Sequence, residues 1–77
     1  MMSWIELIET NQKIKIDHGN ISAIEIKEER IMGIYYTAII YFRSKQFSQY
    51  ALPIEYSKEG AIKSLRTYLK EVYQIKL

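Results

Sequence analysis

No cysteine occurs in the chain, and it has only one histidine, one proline and three glycines. Without cysteine there is no disulfide to staple a small fold and no thiolate to act as a nucleophile or zinc ligand. A lone His18 cannot hold a metal by itself, and no Gly-rich phosphate loop, HExxH or EF-hand spacing is present. Long hydrophobic runs are missing too. The longest uncharged stretch, Ile31 to Phe42, falls short of the ~20 residues a membrane-spanning helix needs. Met1-Met2-Ser3-Trp4-Ile5-Glu6 carries no basic segment, and Glu6 and Glu9 interrupt any apolar signal region. Asn20-Ile21-Ser22 spells a glycosylation acceptor that stays idle without a secretory signal. These absences predict a cytoplasmic protein with no cofactor, no metal and no membrane association.

The 77 residues make one domain, 1–77. Below roughly 70–80 residues a core rarely supplies more than ~3–5 kcal/mol. With no staple, such a chain needs an unusually apolar core or burial against a partner. Fourteen Ile and seven Tyr suit both routes and exclude disorder. The net charge of +2 divides unevenly: residues 1–56 hold six basic and seven acidic groups, −1, and residues 57–77 five and two, +3. This is well short of the basic signature of a dedicated nucleic-acid binder.

Up to residue 56 the apolar residues recur with period two, the sign of half-buried strands. Strands are expected over Trp4–Glu9, Lys13–Ile16, Ile21–Lys27, Ile31–Arg43 and Phe47–Tyr56. Asp17-His18-Gly19-Asn20 gives the strongest loop signal, and the three charges of Glu28-Glu29-Arg30 break the pattern again. Gly33 marks a bulge or bend, and Pro53 marks an edge strand. A three-residue turn at Ser44-Lys45-Gln46 pairs even with even positions. One face then collects Ile34, Tyr36, Ala38, Ile40 and Phe42 with Tyr50, Leu52, Ile54 and Tyr56. The other collects Tyr35, Thr37, Ile39, Tyr41 and Arg43 with Phe47, Gln49, Ala51 and Glu55. A two-residue turn mixes these sets, and a one-residue slip flips every side chain.

From residue 57 the period changes. Ala61, Ile62, Leu65, Tyr68, Leu69, Val72 and Tyr73 form one apolar helical stripe over 57–74, with Ser57 at the N-cap and Glu59 in the first turn. The fold class is α+β: an antiparallel meander sheet of about five strands, residues 1–56, with one C-terminal amphipathic helix packed on the even face.

Chemistry is poorly supplied. His18 sits in a turn with no nucleophile–base set around it, and Glu28-Glu29 reads as a solvated turn rather than an acid–base couple. The chain is therefore expected not to be an enzyme. A nucleic-acid reading draws on Lys63, Arg66 and Lys70, one helical stripe, with Arg43 beside sheet tyrosines. It meets an acidic sheet and no RNP1-type pattern. A protein-partner reading draws on the odd face, which one helix cannot cover and which keeps Trp4, Ile8, Tyr35, Ile39, Tyr41 and Phe47. Large apolar patches on soluble monomers mark contact sites, anchored by aromatic residues and Arg. Tyr35, Ile39, Tyr41, Arg43 and Phe47 are the expected contacts, with a homo-oligomer the expected form. A small-ligand regulatory domain is the third and weakest reading.

Ser3-Trp4-Ile5-x-Leu7, Asn20-Ile21-Ser22-x-Ile24-x-Ile26, Ile39-Ile40-Tyr41-Phe42 and Tyr56-Ser57-Lys58-Glu59-x-Ala61 resemble short uncharacterised β-meander-plus-helix proteins of low-GC Gram-positive bacteria and their phages. The resemblance spans nearly the whole chain through structural motifs and transfers no site residues. It implies a phage or mobile-element protein, of the kind that inhibits a host protein as anti-CRISPR proteins do.

Overall fold

A computed structural model of the chain describes residues 8–46 and 48–75. Four strands, β1 (Ile14–His18), β2 (Ile21–Arg30), β3 (Ile34–Phe42) and β4 (Gln49–Ala51), form one antiparallel sheet in sequence order, followed by helix α1 (Lys58–Tyr73). The α+β meander expected from the sequence is present, with four strands among the described residues where about five were expected. The expected first strand, Trp4–Glu9, lies outside the described residues except for 8 and 9, which are not strand.

The even-with-even register holds. Ile40 pairs with Tyr50 and Ile39 with Ala51, and β2 follows the same parity, Ile24 with Ile40 and Ile26 with Ala38. Ile24, Ile26, Ala38, Ile40 and Leu52 therefore share one face, and Ala61, Leu65 and Leu69 of α1 close over it. All eight are buried. Ser57 caps the helix by accepting the Gly60 N–H at 3.0 Å. At the other end Gln74 turns left-handed (φ 55°), so its N–H and that of Ile75 return to the carbonyls of Lys70 and Leu69.

Three expectations about boundaries need correction. Glu28-Glu29-Arg30 does not break the sheet: it finishes β2, opposite Tyr36, Tyr35 and Ile34. Three charges suit a strand here because Glu28 accepts from the Tyr36 hydroxyl at 3.1 Å and pairs with Arg30 at 3.0 Å. The chain reverses instead at Ile31-Met32-Gly33, where Met32 (φ 54°) and Gly33 (φ 128°) take the positive φ that a tight turn needs. Asp17 and His18 likewise belong to β1, and only Gly19-Asn20 turns.

The third correction lies in β4, which ends at Ala51 rather than Tyr56. Leu52 still donates to the Ala38 carbonyl at 2.9 Å, but the next bridge joins Tyr36 to Glu55, one residue out of step. Pro53 has no N–H to give the ladder, so the chain bulges past it. That one-residue slip reverses the faces. Glu55 comes to the helix side, where the Ser64 hydroxyl donates to its carboxylate at 2.8 Å. Ile54 and Tyr56, expected under the helix, are exposed.

Ile8 is corrected as well. It is buried in the helix-side core rather than on the opposite face. Asn11, at φ 64°, turns the preceding chain alongside β2, donating its N–H to the Ile26 carbonyl at 2.7 Å while Thr10 bridges Ile26.

Candidate interaction surface

The face of the sheet turned away from α1 carries Lys13 and Lys15, then Ala23, Glu25, Lys27 and Glu29 of β2, and Tyr35, Thr37, Ile39 and Tyr41 of β3. Alternation along β3 places Tyr35, Ile39 and Tyr41 on this one face, as the sequence implied. They are not equally available. Ile39 is only 6% exposed, so it is a core residue of this face and not a contact anchor. Tyr41 is half-buried: its hydroxyl donates to Glu25 at 2.6 Å and Lys13 sits over its ring at 4.1 Å. Burial, and then the Glu25 carboxylate, push the Tyr41 phenol up to about 12. Tyr35 is half-buried and Phe47 lies outside the described residues.

Arg43 is exposed, but its polar groups are spent on its own chain. Its guanidinium pairs with Asp17 at 2.6 Å and donates to the Gly19 carbonyl, while its main-chain N–H donates to Asn20 at 2.8 Å. It ties the β1–β2 turn to the end of β3. The helix cations Lys63, Arg66 and Lys70 belong to α1, and no bond joins Arg43 to them among the described residues. His18, exposed at the end of β1, pairs with Ile21 across the turn. No group of three or more His, Asp or Glu gathers among the described residues.

Exposed apolar surface concentrates elsewhere. Seven large apolar residues are exposed among those described: Ile31 and Met32 lie in the β2–β3 turn, Ile54 and Tyr56 in the bulged segment after β4, and Ile34 opens β3 on its helix side, with Tyr50 and Val72 apart from them. The two stretches meet in space because Tyr36, two residues after Ile34, exchanges both main-chain hydrogen bonds with Glu55 at 2.7 and 2.8 Å. With Glu55 turned to the helix, strand alternation turns Ile54 and Tyr56 to the other face, beside Thr37 and Tyr35. Met32 is fully exposed and Tyr56 is 81% exposed. The chain matches no protein-family model, no curated protein and no solved structure. No helix among the described residues is long and apolar enough to cross a membrane.

Sequence reasoning missed this patch because it put Ile54 and Tyr56 under the helix and Ile31 and Met32 inside a strand. Signals for both existed. Pro53 forecast the bulge, and Met32-Gly33 was a better turn than three charges in a row.

Proposed function

We propose that this chain is a non-enzymatic protein-interaction module that seats a foreign protein on the apolar end of its sheet, around Met32, Ile54, Tyr56 and Tyr35. The observation that carries the reading is the clustering of Ile31, Met32, Ile54 and Tyr56, four of the seven exposed large apolar residues, at that end, rather than their dispersal over the surface. The patch combines rigid aromatic and flexible thioether side chains, which suit contact with another protein. Its edge is polar: Lys27 and Glu29 pair at 3.6 Å beside it, and the Glu28–Arg30 pair flanks the turn. The partner class that the phage resemblance implies is a protein of the host.

Site-specific photo-crosslinking tests the assignment. A benzophenone amino acid at Met32 or Tyr56 yields one discrete protein adduct in producing cells, and the same probe at Lys15, across the sheet, yields none. Tyr56→Lys removes the Met32 adduct while the far-ultraviolet circular dichroism stays that of the wild type. Adducts that form equally from Lys15, or that survive Tyr56→Lys, overturn the assignment. Retention of the chain on nucleic acid that falls steeply with salt favours the cationic helix face instead.

A further inference from the structure

We propose that the outer edge of β4 is a self-association seam, at which a second copy of this chain adds its own β4 antiparallel about a two-fold axis through Tyr50. The hydrogen-bond pattern supplies the edge. Phe42 donates to the Ser48 carbonyl at 2.8 Å and Leu52 to that of Ala38 at 2.9 Å, with the Ile40–Tyr50 pair between them. Even residues of this segment therefore spend their main-chain groups on β3, and Gln49 and Ala51 aim theirs outward. Gln49, Tyr50 and Ala51 are all exposed. The two edges of the sheet are also treated differently. β1 is guarded by Lys13 and Lys15 and by a register shift between Lys15 and His18, the usual defences of an edge. No charge occurs from Gln46 to Ile54. β4 invites pairing.

The side chains identify the occupant. A groove of about 510 Å³ lies between α1 and Leu52, Pro53 and Glu55, which continue the chain from β4, and its helical wall carries Lys63, Thr67 and Glu71. These fall at i, i+4 and i+8, a cation and a carboxylate each ~6 Å along the axis from a central hydroxyl. Tyr68, the residue after Thr67, stacks on Tyr50 with ring centroids 5.4 Å apart, which brings the middle of that stripe level with the middle of the strand along its length. A two-fold axis through Tyr50 therefore reverses the stripe. Lys63 faces Glu71 of the second copy, Glu71 faces its Lys63, and Gln49 and Ala51 exchange hydrogen bonds with Ala51 and Gln49. A foreign strand has no reason to match this charge order, whereas a second copy matches it by symmetry. This seam is separate from the apolar end assigned to the foreign partner.

Sedimentation velocity over a concentration series tests the seam. The wild type dimerises. Ala51→Pro removes an outward N–H that β3 does not use, so the variant keeps the wild-type circular dichroism and sediments as a monomer. Lys63→Glu and Glu71→Lys each weaken the dimer by roughly threefold to tenfold, because each reversal sets like charges at both symmetry-related contacts. The double reversal restores it. Met32→Lys leaves it unchanged, which separates the seam from the partner patch. A wild type that stays monomeric, a dimer indifferent to Ala51→Pro, or a double reversal no better than the single ones overturns the proposal. If Ala51→Pro fails to fold, the charge reversals decide.

Discussion

Ile39 and Ile54 exchange roles between sequence and structure, and a matched pair of substitutions tests which assignment is right. Ile39 is 6% exposed and Ile54 is 49% exposed. Replacing Ile39 by Asp loses about 1.5–3 kcal/mol of side-chain burial. It also desolvates a carboxylate, at ~1–3 kcal/mol or more where no hydrogen bond compensates. The residues directly opposite offer no partner, being Glu25, itself anionic and bonded to Tyr41, and Ala51, and the diagonal Lys27 is engaged by Glu29 at 3.6 Å. Like charges directly opposite on adjacent strands repel. Asp is chosen over Lys because a lysine stem could extend to Glu25 and hide the cost. The sum reaches ~2.5–6 kcal/mol, against the ~3–5 kcal/mol that a core in a chain of this size supplies. Ile39→Asp is therefore mostly or wholly unfolded at 25 °C. Ile54→Asp, at a solvated bulge, stays within about 0.5 kcal/mol of wild type. Urea titrations followed by circular dichroism, at a concentration low enough to keep the chain monomeric, read both values. An Ile39→Asp curve that overlays wild type, or an Ile54→Asp variant that unfolds, refutes the bulge and the assignment of faces built on it.

Two further outcomes are expected. Leu69→Ala costs about 2–5 kcal/mol, because Leu69 is fully buried between α1 and the sheet, and a thermal melt within a degree of wild type contradicts that packing. Tyrosinate absorbance in an alkaline titration shows a late step near pH 12 that Tyr41→Phe removes. The folded pKa lies above the ordinary value of 10, so the stabilisation tied to this phenol is complete below pH 10 and is lost as pH rises from 10 through 12. A titration in which Tyr41→Phe leaves the last step in place refutes the burial and the Glu25 bond as its cause.

Much of the fold was legible because local signals agreed with one another. The helix stripe, the Ser57 cap and the parity of β3 against β4 each follow from a period and a turn length, and the structure keeps all three. What escaped depends on single residues whose effect is non-local. Pro53 announces a break but not that the chain recovers one residue out of step, and that slip decides where Ile54, Glu55 and Tyr56 go. The exposure of Ile39 was equally hidden, since alternation fixes which way a side chain points but not what lies over it. Arg43 shows the same limit: its type suits an interface, and only the arrangement of Asp17 and Gly19 around it reveals an internal tie.

The two proposed surfaces are compatible, and their geometry has a consequence of its own. The seam uses the outer edge of β4 and the groove beside α1, whereas the partner patch lies past the Pro53 bulge on the opposite face of the sheet. In the two-fold dimer both patches fall on the same side of one continuous sheet. Ile54 lies four residues from the axis at Tyr50, or ~13 Å at ~3.3 Å per residue, so the two patches stand ~25–30 Å apart. A partner with two matching sites at that spacing is held by avidity, gaining a factor of ~10²–10⁴ over a single patch. Ala51→Pro then weakens such a partner by that factor without touching a contact residue, while Tyr56→Lys weakens it in monomer and dimer alike. Comparing the two variants against one purified partner separates valency from contact. Equal losses in both, with dimerisation intact in Tyr56→Lys, contradict the two-patch arrangement.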